Sequence, residues 1–371
     1  MSSRSSIVEP SRNPFGANFK QYLFRSDALT SAIMSMSAAY MEKMTYAWHY
    51  RAAALSFMQR DLRRQSYSVE MLAAMLFLGA TECWFDAANS GSLHLRAASK
   101  VIIHIVKSGT KVPVFLTNFL CWFGTLASYV SDNDGQILSS STTYALLTRG
   151  TPCSARKRSY TDIDPLVGNW GSLMPLVARV GIIVRQLRRG AHESELEKLI
   201  DRVETGLLEW GGLDETYLSE QSLCGGSSAN GLTGHDYIAE AYRLSSLLAL
   251  YSFCPGLLRK RVAMLRDGES TFDFLSRLAN SIIVLLRRIS VESPLWRVCS
   301  LPILSAGQLI TKPSDRDFLR SVTNILKGKI RVPIILSVRK LLEDIWCRRD
   351  AGSDAWWMDI LDESGTPVLI N

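Results

Sequence analysis

Apolar residues recur along most of this chain at the three-to-four-residue spacing of amphipathic helices. From Asp27 to Glu42 the stripe is Leu29, Ile33, Met36, Ala39 and Tyr40, with Ser26 and Asp27 placed to cap it. Tyr46 to Leu62 continues it with Tyr50, Ala54, Phe57, Met58 and Leu62. Val69 to Trp84 is apolar on most faces, which predicts a buried helix. Leu93 to Val106 and Phe115 to Val130 follow.

The periodicity fails over residues 131–169, where Ser, Thr, Asp and Gly dominate, and this predicts a long central loop. Helical spacing resumes at Ser172 to Arg189, Glu193 to Trp210, Ile238 to Phe253, Phe272 to Ile289, Leu295 to Ile310, Asp315 to Leu326 and Pro333 to Arg348. Residues 211–234, rich in Gly and Ser, form a second loop. Strand-type alternation is nearly absent and no repeat stands out. The pattern predicts an all-α protein of roughly a dozen helices. Residues 1–18 are expected to form a flexible leader, 19–362 a helical body and 363–371 a tail. Two helical layers joined near residue 150 are expected to pack as one body, because neither half has polar exteriors throughout.

Composition agrees with a packed core: 47% of the 371 residues are hydrophobic and 21% charged. The net charge of +7 is scattered in short clusters, among them Arg156-Lys157-Arg158 and Arg259-Lys260-Arg261. Such scatter is no sign of a nucleic-acid groove. Arg156, Lys157 and Arg158 lie in the central loop and are candidates for a nuclear-import patch. The seven cysteines are Cys83, Cys121, Cys153, Cys224, Cys254, Cys299 and Cys347, and no two form a Cys-x-x-Cys pair. No zinc cluster is built from them locally, and a reducing compartment is expected. The first residues lack the apolar core of a signal peptide, and no run approaches the ~20 apolar residues of a membrane span. A soluble protein without membrane partners is expected.

Chemistry is sparse. Glu82 and Asp86 stand four apart, the spacing of one helix face, with His94 and Arg96 opening the next helix. They read either as a carboxylate pair for a divalent cation or as a buried ion network in which Glu82 pairs with Arg96 or His94, and the network is preferred. Glu240 and Arg243 are i,i+3 neighbours on an apolar helix and are expected to pair. Asp132-Asn-Asp134 and Asp162-Ile-Asp164 read as loop or capping chemistry, since neither has the further ligands of a calcium loop. His94 and His104 lie too far apart along one helix to share a metal. No Gly-x-Ser-x-Gly elbow, phosphate loop or dinucleotide fingerprint is present. Cys153, His192 and His235 lie near loops without a spacing that supports a nucleophile.

Taken in order, these pieces resemble one family, the helical regulatory domain found C-terminal to the zinc cluster of many fungal transcription factors. The matching elements are Glu82 before His94-Leu95-Arg96-Ala97-Ala98, and Asp164-Pro165 with Gly168 and Leu173. They continue with Ala239 to Arg243, Leu301 to Gly307, Asp315-Arg316 and Leu341 to Trp346. Leu301 and Ser305 depart from the usual tryptophan and β-branched residue, a packing difference. Trp356-Trp357 resemble a short closing helix. The resemblance runs from about Asn13 to Trp357.

The resemblance implies an all-helical transcription regulator, nuclear at least part of the time, controlling fungal metabolic or secondary-metabolite genes. It implies no cofactor. Its usual partner is DNA, through an N-terminal zinc cluster. Met1 to Phe15 holds no cysteine, so either a truncated or fingerless regulator, or one acting through a DNA-reading partner protein, is expected. The resemblance leaves room for a homodimer and a small-molecule effector bound between the layers. The alternative is a Mg²⁺-dependent biosynthetic enzyme, terpene-cyclase-like, with Glu82, Asp86, Arg96, Glu240 and Arg243 around an apolar cavity.

Overall fold

The computed structural model describes residues 20–86, 89–131, 164, 166–168, 170–210, 232–264, 268–329 and 334–365. The import patch Arg156-Lys157-Arg158, the leader and the cysteines Cys153 and Cys224 lie outside them. Among the described residues there are fifteen α-helices, one 3-10 turn and no strand. The first six helices are α1 Lys20–Leu23, α2 Asp27–Tyr40, α3 Met44–Arg63, α4 Val69–Phe85, α5 Ser92–Lys107 and α6 Val114–Val130. After the central segment come α7 Met174–Arg188, α8 Glu193–Glu209, α9 Gly234–Phe253, α10 Pro255–Ala263 and α11 Thr271–Arg287. The last four are α12 Ser300–Gly307, α13 Pro313–Lys329, α14 Ile334–Asp350 and α15 Trp357–Ser364.

Local chemistry sets most boundaries. The Ser26 hydroxyl accepts the Leu29 N–H at 3.2 Å, and Ser68 accepts that of Met71 at 3.1 Å. Thr233 and Asp236 form a capping box at the start of α9, where the Asp236 carboxylate accepts the Thr233 N–H at 2.8 Å. One expected helix is divided. Leu295 to Ile310 is a 3-10 turn, Pro294–Val298, followed by α12. Pro302 has no N–H to give to a residue four before it, so it is tolerated in a first turn and not in an interior. Restarting the helix at Ser300 puts Pro302 in that first turn. Helix α10 has no counterpart in the periodicity, because nine residues are too few to show a stripe.

The helices pack mainly against sequence neighbours: α2 against α3 and α4, and α4 against α5. The two halves meet where α6 lies on α7. There the Thr125 hydroxyl donates to the Met174 carbonyl and the Tyr129 hydroxyl to that of Val177, each at 3.2 Å. Helix α9 is enclosed by α7, α8, α11 and α12, and every residue from Ile238 to Tyr251 is buried. A helix apolar all round belongs at the centre of a body, and one continuous apolar core runs from Ala28 to Leu361 through both halves.

Candidate functional site

Three polar assemblies gather the residues singled out in the sequence. The first is built around Glu82, which is 2% exposed. Gly91 has φ +72°, and a Cβ there would lie 2.0 Å from the Gly79 carbonyl oxygen, so only glycine permits this approach of the turn to α4. The approach brings α5 onto α4, and His94 Nε2 comes 3.0 Å from Glu82 Oε1. Asn89, in the turn, donates to Glu82 Oε2 at 3.2 Å and accepts the Gly91 N–H at 3.0 Å.

The main partner comes from α3. Arg51 Nη2 contacts both Glu82 oxygens at 2.8 Å, and its Nε donates to Oε1 at 3.0 Å. The guanidinium also lies 5.4 Å from the Trp48 ring centre and 5.7 Å from that of Phe85. Burial pushes the Glu82 pKa up, but the hydrogen bonds and charges of His94 and Arg51 outweigh it and hold the carboxyl below its ordinary value.

Two expectations are corrected here. Of the two partners expected for Glu82, His94 is in place and Arg96 is not; the arginine comes from 31 positions upstream. Asp86 does not share a face with Glu82. It follows the last residue of α4 with extended backbone, φ −145° and ψ 110°; its N–H still bonds the Glu82 carbonyl at 3.0 Å, but Asp86 is exposed while Glu82 is buried. Arg51 was legible in one respect. It interrupts the buried stripe Ala47, Ala54, Met58 of α3 and has no acidic residue within four positions on either side. A cation in such a place needs a partner from elsewhere.

The second assembly lies on α9. Arg243 Nε and Nη2 donate to the two Glu240 oxygens at 2.9 and 2.6 Å, and both residues are buried. Arg243 Nη1 also donates to the Leu207 carbonyl of α8 at 3.4 Å. Beside it, the Asp164 carboxylate accepts the N–H groups of Leu166 and Val167 at 2.8 and 3.0 Å and the Asn118 amide at 2.7 Å. Of the Asp162-Ile-Asp164 stretch, expected to carry loop or capping chemistry, Asp162 lies outside the described residues and Asp164 folds its own turn. Burial raises its pKa, against those hydrogen bonds. That turn delivers Trp170, fully buried, against Tyr242 with ring centres 6.2 Å apart. The Asp164 and Ala239–Arg243 elements thus pack on one another.

The third assembly unites the C-terminal motifs. The Trp346 indole N–H donates to the Gly307 carbonyl at 2.7 Å. Arg316 pairs with Asp350 at 2.6 and 2.7 Å, with its guanidinium 5.3 Å from the Trp346 ring centre. Asp315 accepts Arg287 Nη2 at 2.7 Å. A further buried cluster was missed in the sequence: Glu204 Oε1 accepts the Tyr251 hydroxyl at 2.7 Å and Arg261 Nη2 at 2.7 Å.

Glu82 and Glu240 therefore have both oxygens engaged by arginine, and neither offers a free donor set to a cation. Among the described residues no group of three or more His, Cys, Asp or Glu side chains could hold a metal ion. An open groove of about 350 Å³ lies on the outer face of α11 beside Lys312, lined by Asp273, Arg277 and Asn280, and not between the two halves. No helix among the described residues is long and apolar enough to cross a membrane. Cys83, Cys121 and Cys254 have pKa values pushed up to about 12 by burial, which suits packing and not nucleophilic chemistry.

Glu82, Arg243 and Arg316 thus join helices to one another. No curated protein and no solved structure matches the chain. The family described as the fungal specific transcription factor domain matches residues 1–370. With that span matched, the chain belongs to the fungal specific transcription factor domain family.

Proposed function

We propose that this chain regulates transcription as a helical scaffold whose DNA-reading module lies outside these residues. The family match over residues 1–370 carries the reading. The sequence holds no Cys-x-x-Cys pair, so a zinc cluster would have to come from another protein or from a segment joined to this one. The saturated ion pairs at Glu82 and Glu240 support a structural body over a Mg²⁺-dependent enzyme, and no observation favours the enzyme. On this reading the protein works in the nucleus, with Arg156-Lys157-Arg158 as its import patch, and its targets are metabolic or secondary-metabolite genes. A small-molecule effector and a homodimer belong to the same proposal.

The test is deletion of the gene, with transcripts and metabolites measured from the same cultures. A coordinated rise or fall of a transcript set is expected. Unchanged transcripts, with one metabolite lost and its precursor accumulating, would overturn the reading in favour of an enzyme. A fluorescent fusion of the full chain is expected in the nucleus, and Arg156→Ala/Lys157→Ala/Arg158→Ala in the cytoplasm. Equal nuclear signal in both would remove the import role from that patch.

A further inference from the structure

The outer face of α5 has a composition that the fold does not use. From Asp86 to Asp132 the chain has no carboxylate between them, yet Arg96, Lys100, Lys107 and Lys111 fall in that stretch. At about 100° per residue, Leu93, Arg96, Lys100, His104 and Lys107 share one side of α5. The opposite side, Leu95, Ala98, Ile102 and Ile105, is buried. Tyr67 stacks on His104 with ring centres 4.4 Å apart. This contact brings Tyr67, in the turn between α3 and α4, onto the same face; Arg63 and Arg64, four and three residues before it, are exposed.

None of the cations Arg63, Arg64, Arg96, Lys100, Lys107 and Lys111 has a carboxylate partner among the described residues. Elsewhere Arg51, Arg188, Arg261, Arg277, Arg316 and Arg320 are each ion-paired. Like charges one turn apart on a helix repel, and no anion among the described residues relieves them. An external anion would.

Two exposed apolar residues flank the row along the chain. Leu93 at the start of α5 is 67% exposed, and Val114, beyond its end, is 69% exposed. A sugar-phosphate backbone offers nothing to these side chains. An acidic protein segment with apolar residues at its ends covers them and meets the lysines between.

We propose that the α5 face is the docking surface for an acidic, apolar-ended segment of a partner protein. The surface stands on its charge and exposure, and it does not depend on the regulatory reading. The row is about 24 Å long, sixteen residues at 1.5 Å each, so a helical segment of similar length spans it.

The experiment titrates the full chain into two fluorescently labelled probes and follows anisotropy. One is a synthetic peptide of about 20 residues, long enough to span the row, with leucines at both ends and Asp and Glu between. The other is a short DNA duplex of equal charge. Peptide binding is expected to weaken at least tenfold in Lys100→Glu/Lys107→Glu and severalfold in Leu93→Ser/Val114→Ser. It is also expected to fall as salt rises from about 50 to 200 mM. These positions are exposed, so circular dichroism should show unchanged helicity in every variant. No peptide binding at low salt, or equal binding by the charge-reversed variant, overturns the surface. Tighter binding of the duplex that ignores Leu93→Ser/Val114→Ser overturns the partner and reassigns the face to nucleic acid.

Discussion

Arg51 and Glu82 offer the sharpest quantitative test of how this body is held together. Replacing Arg51 with Met removes three charge-assisted hydrogen bonds of 2.8 to 3.0 Å from a carboxylate that is 2% exposed. Breaking a buried pair from one side costs about 3–5 kcal/mol, because the remaining charge stays desolvated. His94 and Asn89 keep hold of Glu82, and Arg51 is itself 21% exposed, so the low end, about 3 kcal/mol, is expected. Glu82→Leu strands the guanidinium instead, but that group can turn to water, and about 2 kcal/mol is expected. The double variant leaves neither charge unpaired, so its cost falls short of the sum by at least about 1.5 kcal/mol. Urea unfolding of the four proteins, followed by circular dichroism, measures the cycle. Additivity within about 0.5 kcal/mol would show the two residues energetically independent and would refute the reasoning.

Other consequences follow from the same geometry. Glu82 binds its proton less tightly in the folded chain than in the unfolded one. Its contribution is therefore complete above the ordinary carboxylate value of 4.5 and fades as pH falls through the lower folded value. Glu82→Gln should flatten that part of the acid-unfolding curve, and an unchanged curve would contradict the assignment. Trp346→Phe leaves the Gly307 carbonyl only the longer 3.3 Å bond from the Ile310 N–H and should cost about 1 kcal/mol in urea. Gly307→Ala places a Cβ 2.4 Å from Leu342 Cδ2 and should cost about 1–3 kcal/mol, partly relieved by Leu342→Ala. Glu193, whose oxygens accept the Gly256 and Leu257 N–H groups at 3.0 and 2.9 Å, caps the helix α10 from outside, and Glu193→Ala should cost about 1 kcal/mol. Under a thiol reagent, Cys347 should be modified in the native protein while Cys83, Cys121, Cys254 and Cys299 stay protected until unfolding. Peptide mapping by mass spectrometry distinguishes these outcomes.

The sequence alone determined what depends on short range. Helix positions follow from the 3.6-residue period and from Ser and Thr caps, both set within a few residues. The Glu240–Arg243 pair was legible because one turn of helix places its members together. Membership of the family was legible because its short motifs keep their order along the chain. What the sequence left open depended on contacts between distant helices. Arg96 was an expected partner for Glu82 because it is near in sequence. The structure supplies Arg51, because the packing of α3 and α4 decides which cation reaches the carboxylate. Asp86 left the expected face because the helix ends one residue before it. Trp346 and Gly307 stand 39 positions apart and meet only when α14 lies on α12. The unpaired cations of α5 became a surface only when its other side was seen to be buried. A period specifies which side of a helix is apolar, whereas the burial of that side, and the partner of each charge on it, are settled by the helices packed against it.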